Sequence, residues 1–211
     1  MRTLAILPVK RFELAKTRLG EQLSAPARRR LAEAMVSDVL DALLSMPGLD
    51  AVVVTNEPAV ASHAAAAGAT VLPDPAESGQ SVAALVGVAH ALRDSYERAL
   101  LVPGDCPALD GAALRVLLDR RSGAPAVTIV PDRHGSGTNA LLLTPPDAIE
   151  PGFGPDSFAR HRRRAGAAGA AWHVERLEAL LLDVDTPEDL DVLRVALAGR
   201  LTRTGTLLEE L

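Results

Sequence analysis

Only two lysines occur among the 211 residues, against 20 arginines, and both fall in one short stretch, as Lys10 and Lys16. Lysine carries a compact, mobile ammonium suited to a phosphate chain, whereas arginine offers a planar fork. A solvated charged loop is the plain alternative, but a chain that prefers Arg everywhere else has placed both of its lysines here. The stretch is neither a Walker loop nor a GxGxxG turn, since only Gly20 follows the first apolar run. Asp105 is the second candidate. It follows the apolar run 99–102 and the break Pro103-Gly104, where a carboxylate would suit Mg²⁺, an ion that takes oxygen ligands and substrate phosphates. A turn aspartate or helix cap is the structural alternative.

Asp183 and Asp185 stand two apart in LLLDVDTPEDL. On an extended chain that spacing turns both carboxylates to one face, where they repel unless a cation lies between them. Thr186 as N-cap, Pro187 at N1 and Asp189 in the first turn account for the rest of the motif structurally. They leave Asp183 unexplained at the end of an apolar run, where a lone charge is costly to bury.

Glycine-rich backbone at 135–139 (GSGTN) and again at 152–158 (GFGPDSF) can present N–H groups to an anion, with Thr138 and Ser157 adding hydroxyls. Tight turns and a Pro-initiated helix would use the same residues. Arg160, Arg162, Arg163 and Arg164 follow with His161 among them, and read as a mostly solvated face. Cys106 reads as a small buried residue, and a lone cysteine excludes an internal disulfide or a cysteine zinc cluster. GxSxG and HExxH motifs are absent.

The elements that must position these residues alternate. Strands are predicted at Thr3–Val9, 51–55, 70–72, 99–102, 126–130, 139–143, 171–174 and 180–184. Helices are predicted from about 24 to 44, at 58–67, from 79 or 81 to about 97, at 110–121, 155–166 and 187–197, with the tail 202–211 unassigned. Short apolar runs bounded by turn residues and longer runs at helical spacing carry these assignments. The pattern is α/β, with βαβ crossovers, a mostly parallel sheet covered on both faces, and an antiparallel insertion within 126–184. One domain, 1–211, suits the length. Ligands in such sheets sit beyond the carboxyl ends of the strands, which points to residues 8–18, 73–81, 103–109, 134–139 and 183–186.

Hydrophobic residues make up 48% and aromatic residues 2%, so Ala, Leu and Val must fill the core. No apolar run is long enough to span a bilayer, and the N-terminus reads as a strand rather than a signal peptide, so a cytoplasmic protein is expected. The net charge of −5 argues against a nucleic-acid partner. Its distribution is uneven: residues 1–30 hold eight Lys/Arg against two acids, leaving −11 on the remainder. A basic end on an acidic body suits a local anion site.

Taken together, PVK at 8–10, AKTRL at 15–19, PGDCPAL at 103–109, GTNALLL at 137–143, FGPDSFARH at 153–161 and LLDVDTPEDL at 181–190 resemble the guanylyltransferases of coenzyme F(420) biosynthesis. The resemblance covers roughly residues 3–197. It implies a GT-A-type nucleotidyltransferase fold and transfer of GMP from GTP to a phosphorylated three-carbon acid. It implies two Mg²⁺ ions held by Asp105, Asp183 and Asp185. Lys10, Lys16 and Arg18 would hold the nucleotide's phosphates, with Gly79 and Gln80 also at the nucleotide, and Lys10, Lys16 and Asp105 would serve catalysis. Thr138, Gly154 and Ser157 would contact the acid's carboxylate. Phosphoenolpyruvate is the acid of the branch this chain resembles, with 2-phospho-L-lactate and 3-phosphoglycerate the alternatives, and a downstream F(420)-pathway transferase would receive the product. Relatives often carry Gly-Leu-Asn where this chain has Ser78-Gly79-Gln80-Ser81, so Gln80 would stand in for the Asn amide. A catalytically inert nucleotide-binding protein is the rival of a different class.

Overall fold

The computed structural model describes residues 1–14, 16–120 and 123–211. Ala15 of the AKTRL stretch and Arg121, the end of the helix predicted over 110–121, lie outside the described residues.

The elements are β1 (Thr3–Val9), α1 (Ala25–Leu44), β2 (Leu49–Thr55), α2 (Pro58–Ala66), β3 (Thr70–Leu72), α3 (Gln80–Arg93), β4 (Arg98–Leu101) and α4 (Gly111–Asp119). There follow β5 (Ala126–Pro131), β6 (Thr138–Thr144), α5 (Ser157–Ala167), β7 (Ala171–Val174), α6 (Glu178–Leu181), α7 (Pro187–Leu197) and α8 (Arg203–Glu210). Two 3-10 turns, Phe12–Leu14 and Thr17–Leu19, lie between β1 and α1.

The strands form one sheet in the order β3-β2-β1-β4-β6-β5-β7. Among the described strands β6 alone runs against its neighbours, paired antiparallel to β4 and β5, while β5 and β7 are parallel. The antiparallel element is therefore a single strand threaded into the sheet. Its consequence is positional. Leu101 of β4 pairs with Leu141 of β6 and Pro131 of β5 with Thr138, so the start of β6 emerges at the edge where β4 and β5 end.

Alternation along the strands divides the core. Ala5, Leu7, Val53, Leu100 and Leu142 face α1, α2 and α4, whereas Leu4, Ile6, Val52, Leu101 and Leu141 face α3 and α5. The largest fully buried side chains are Leu, Ile and Met, as an aromatic-poor chain requires. Each such side chain contributes about 1.5–3 kcal/mol by leaving water.

Capping sets the helix starts. Ser24, Asp110 and Thr186 accept backbone N–H bonds at the heads of α1, α4 and α7, and Thr186 forms a capping box with Asp189. The third helix stops at Arg93, short of the expected 97, because Ser95 adopts φ 57 and turns the chain into β4.

Two expectations are corrected or completed. Residues 180–184 are not a strand: 178–181 form the helical turn α6, and the chain beyond it is extended but unpaired. Leu180 drops into the core from that turn, and its carbonyl accepts from the Asn139 side chain rather than from a neighbouring strand. The unassigned tail becomes α8, capped by Thr202. The Asp38 carboxylate accepts from the N–H groups of Arg203 and Thr204, and Leu207 and Leu208 pack with Leu31, Met35, Leu193 and Leu197. No helix among the described residues is long and apolar enough to cross a membrane.

Candidate active site

Two cavities lie side by side at the strand ends. The first, about 300 Å³, is lined by Lys10 and Lys16 on one side and by Phe12, Met35 and Val36 on the other. The second, about 330 Å³, is lined by Arg18, Thr138, Asn139, Gly154, Ser157 and Asp183 among others. Gln80, Pro103, Asp105 and Asp185 line both, so two carboxylates stand on the shared wall.

Lys16 is 9% exposed, and its ammonium donates to Asp105 at 2.7 Å and to Asp185 at 3.1 Å. Burial alone would lower its pKa, but attraction to the two carboxylates outweighs that and holds the ammonium above its usual range. Its backbone sits at φ 54, the left-handed region that costs a non-glycine residue about 1–2 kcal/mol. Its ammonium bonds hold the side chain inward, and Glu57 anchors the preceding turn at Phe12. Buried at 3% exposure, it accepts from the Phe12 N–H at 3.0 Å and from the Arg29 guanidinium at 2.9 Å, tying the lysine loop to α1. Lys10 is exposed and reaches a smaller recess beside Asn56, Asp74 and Glu77.

The pair Asp183 and Asp185 keeps the predicted common face without a strand. Leu182 and Val184 are buried in the core below, and the alternating acids turn to the second cavity. Burial raises the Asp183 pKa, and the Asp105 charge raises it further, against a lowering bond from the Asn139 amide at 3.1 Å. The Asp105 and Asp183 carboxylates thus oppose each other's ionisation. Among the described residues, no group of three or more His, Cys, Asp or Glu side chains converges as a ready-made metal cage. Mg²⁺ does not require one, because it keeps water and is completed by substrate phosphate around one or two carboxylates. The oxygen donors present fit such an ion.

The far wall of the second cavity is built from β6 and α5. Thr138 and Asn139 open β6, and Ser157 opens α5. Gly154 turns the loop between them at φ 100, where a side chain would be strained. The Ser157 hydroxyl is buried with no hydrogen-bond partner among the described residues. At a helix N-terminus and on the cavity lining, it is a hydroxyl whose hydrogen-bonding capacity is unspent. Gly79 heads α3 at φ 118, beside Gln80. Ser81, on the first turn of that helix, accepts from the Phe153 N–H at 2.9 Å and joins the two walls.

Of the expected site residues, Lys10, Lys16 and Gln80 meet at the first cavity, and Asp105 and Asp185 between the two. Thr138, Gly154, Ser157 and Asp183 meet at the second. Arg18 departs from the lysines, lining the second cavity, exposed. Glu57 carries no signal in the sequence, Asn139 and Ser81 fall inside the GSGTN and 78–81 segments without a role of their own, and His161 falls in a stretch that reads as a mostly solvated face. His161 is fully buried, which pushes its pKa down to about 4, with Arg164 and Arg160 adding repulsion. Its spacing of four from Ser157, one helical turn onto the same face, was the available signal.

This chain is 52% identical to the phosphoenolpyruvate guanylyltransferase of Conexibacter woesei, over 95% of its own length and 91% of that protein. It is 36% identical to the 3-phospho-D-glycerate guanylyltransferase of Colwellia psychrerythraea, over 92% and 91%. Among solved structures, a protein assigned to the nucleotide-diphospho-sugar transferases from Desulfovibrio desulfuricans G20 superposes with a TM-score of 0.79 at 21% identity, covering 99% of this chain and 94% of that one. That likeness shows the fold, which is the nucleotidyltransferase one. The family described as guanylyl transferase CofC like matches residues 3–211, and with the relatives above it shows that the chain belongs to that guanylyltransferase family.

Proposed function

We propose that the enzyme transfers GMP from GTP to the phosphate of phosphoenolpyruvate, giving enolpyruvoyl-diphospho-guanosine and pyrophosphate. The observation that carries this reading is the pair of adjoining cavities with Asp105 and Asp185 on their common wall. A condensation of two anions needs two pockets and a charge-compensated seam between them. GTP takes the first cavity, its phosphates against Lys10 and Lys16, and Gln80 presents its amide to the nucleotide. The acid takes the second, its carboxylate on Thr138, Ser157 and the backbone at Gly154.

A phosphate oxygen of the acid attacks the α-phosphorus of GTP. The new P–O bond forms as the bond to the β-phosphate bridge breaks, and pyrophosphate leaves with that electron pair. The attacking oxygen is already anionic, so no protein base is required. The residues supply alignment and charge compensation. Asp105, Asp183 and Asp185 would hold Mg²⁺, which when bound neutralises phosphate charge at the reacting centre. The 52% relative supports phosphoenolpyruvate over the other acids. The product would pass, in the cytoplasm, to a transferase of coenzyme F(420) biosynthesis.

Pyrophosphate release from GTP with Mg²⁺ and, in turn, phosphoenolpyruvate, 2-phospho-L-lactate and 3-phosphoglycerate tests this. Release is expected to be fastest with phosphoenolpyruvate. Preference for another acid would change the substrate, and GTP binding without release under any acid would leave an inert nucleotide-binding protein.

A further inference from the structure

The buried His161 has no part in the transfer as described, yet it bonds to Thr138, which lines the acid pocket. Its Nε2 lies 2.9 Å from the backbone nitrogen of Gly152, and its Nδ1 lies 3.0 Å from the Thr138 hydroxyl. A backbone N–H can only donate, so Nε2 must be the bare, accepting nitrogen. A neutral ring then carries its one proton on Nδ1, and that proton points at the Thr138 oxygen. With its oxygen already accepting, the Thr138 hydroxyl directs its own proton elsewhere, and Thr138 lines the second cavity.

The surroundings enforce this state. His161 is fully buried, the Phe153 ring meets it edge-on at 5.5 Å, and Arg160 and Arg164 repel a second proton. The Arg160 guanidinium also donates to the carbonyls of Gly152 and Pro155 at 2.8 Å each, which fixes the loop carrying the Gly152 N–H.

We propose that His161 is a positioning residue whose single ring tautomer, set by the Gly152 N–H, locks the Thr138 hydroxyl as a hydrogen-bond donor to the carboxylate of the phosphorylated acid. The inference rests on reading the second cavity as the acid site. The locked Thr138 hydroxyl and the unpartnered Ser157 hydroxyl each have a proton free for the carboxylate. An unlocked Thr138 could turn its lone pairs to the same carboxylate and repel it. A hydrogen bond to a charged group contributes about 1.5–3 kcal/mol, so its loss raises the KM for the acid by at least about tenfold.

Two amide substitutions separate the two ends of the relay. In His161→Asn the amide nitrogen reaches the place of Nδ1 and still donates to Thr138. In His161→Gln the amide reaches the place of Nε2, serving Gly152 and leaving Thr138 free. The KM for phosphoenolpyruvate is expected to stay within about threefold of wild type in the Asn variant and to rise about tenfold or more in the Gln variant, with the KM for GTP nearly unchanged in both. In a Thr138→Val background the Gln substitution should add nothing further, because the hydroxyl it acts through is gone. Equal effects of Asn and Gln, a matching rise in the KM for GTP, or additivity with Thr138→Val would overturn the proposal. Nitrogen-15 NMR of the imidazole tests the relay without turnover: a proton on Nδ1 is expected, and one on Nε2 would refute it. If the tautomer is as stated but Thr138→Val leaves the acid's KM unchanged, the fault lies in the placement of the acid and not in the relay.

Discussion

Replacing Lys16 with Met should destabilise the ion-free protein and, by the same electrostatics, strengthen its response to Mg²⁺. The side chain keeps its length and loses its charge. In the structure the ammonium lies 2.7 Å from Asp105, which is 28% exposed, and 3.1 Å from Asp185, which is 50% exposed. At an effective dielectric constant near 20, the closer pair carries about 6 kcal/mol of attraction. Desolvating the ammonium offsets several kcal/mol of that, and the bond to the half-exposed Asp185 adds little after solvent screening. The net loss is about 2 kcal/mol, or roughly 4–8 °C in Tm for a chain of this size. The pKa of Lys16 is raised on folding, so its contribution is fully present below the ordinary lysine value of 10.5 and is lost only as pH rises through the folded value. The deficit should therefore be constant across neutral pH.

Mg²⁺ alters the comparison. If Asp105 and Asp185 hold the ion as proposed, in the wild type it must compete with the ammonium for them. In the variant it does not. Tenfold tighter binding adds about 1.4 kcal/mol at saturation, which closes the gap in Tm by about 3–6 °C. Thermal melts of both proteins in chelator and in saturating Mg²⁺ give the answer. A gap of the same size in both conditions would mean that the ion does not use the carboxylates Lys16 bridges. Turnover is a poor readout here, since the variant also loses a phosphate contact.

Asp183→Asn should lower pyrophosphate release by about 100-fold or more at millimolar Mg²⁺, yet raise the Tm of the ion-free protein. Its pKa is raised in the fold, chiefly by burial and then by Asp105, so the charged form destabilises the native state as pH climbs above the ordinary value of 3.8. Melts across pH should show that decline in the wild type and its absence in the Asn variant, and wild-type turnover would remove Asp183 from the ion site. For His161 the sign is the opposite. Its pKa falls from 6.5 to about 4 on folding, so the unfolded chain binds the extra proton first, and stability drops by about 3 kcal/mol as pH falls from 6.5 to 4. Denaturant titrations of wild type and His161→Asn should differ in slope over that window, and parallel curves would mean that the imidazole is protonated in the native state.

The positions at the ligand edge were legible because each follows an apolar run and closes on a residue that an apolar core rejects: Lys10 after β1, Asp105 beyond β4, Asp183 after a leucine stretch that is not itself a strand. Local caps were equally legible at Ser24 and Thr186. The failures share a cause. Residues 180–184 carry strand-like apolar residues, but their backbone partners are a side chain and a loop, Asn139 on Leu180 and the Arg133 N–H on Leu181, and periodicity does not register such partners. Glu57 and His161 were missed for a related reason. Each is a polar residue whose burial is compensated by groups far away in the chain, Phe12 and Arg29 in one case, Thr138 and Gly152 in the other. Neither partner set has a local signature.

The direction of β6 explains why both substrates can meet. In an all-parallel sheet every strand delivers its last residues to the ligand edge, and each following loop must turn into a helix. Reversing β6 delivers its first residues, Thr138 and Asn139, to that edge between the ends of β4 and β5. Thr138 then faces the acid pocket while its neighbour Asn139 grips Asp183 and the Leu180 carbonyl. On the proposed assignment one strand start sets both the acid wall and the ion wall, and the fixed backbone between the two residues fixes the distance between them. A shift of β6 by one register position would leave Asn139 and Ala140, or Gly137 and Thr138, in the two places and should abolish acid binding and ion binding together, whereas loss of either side chain alone should impair one and spare the other.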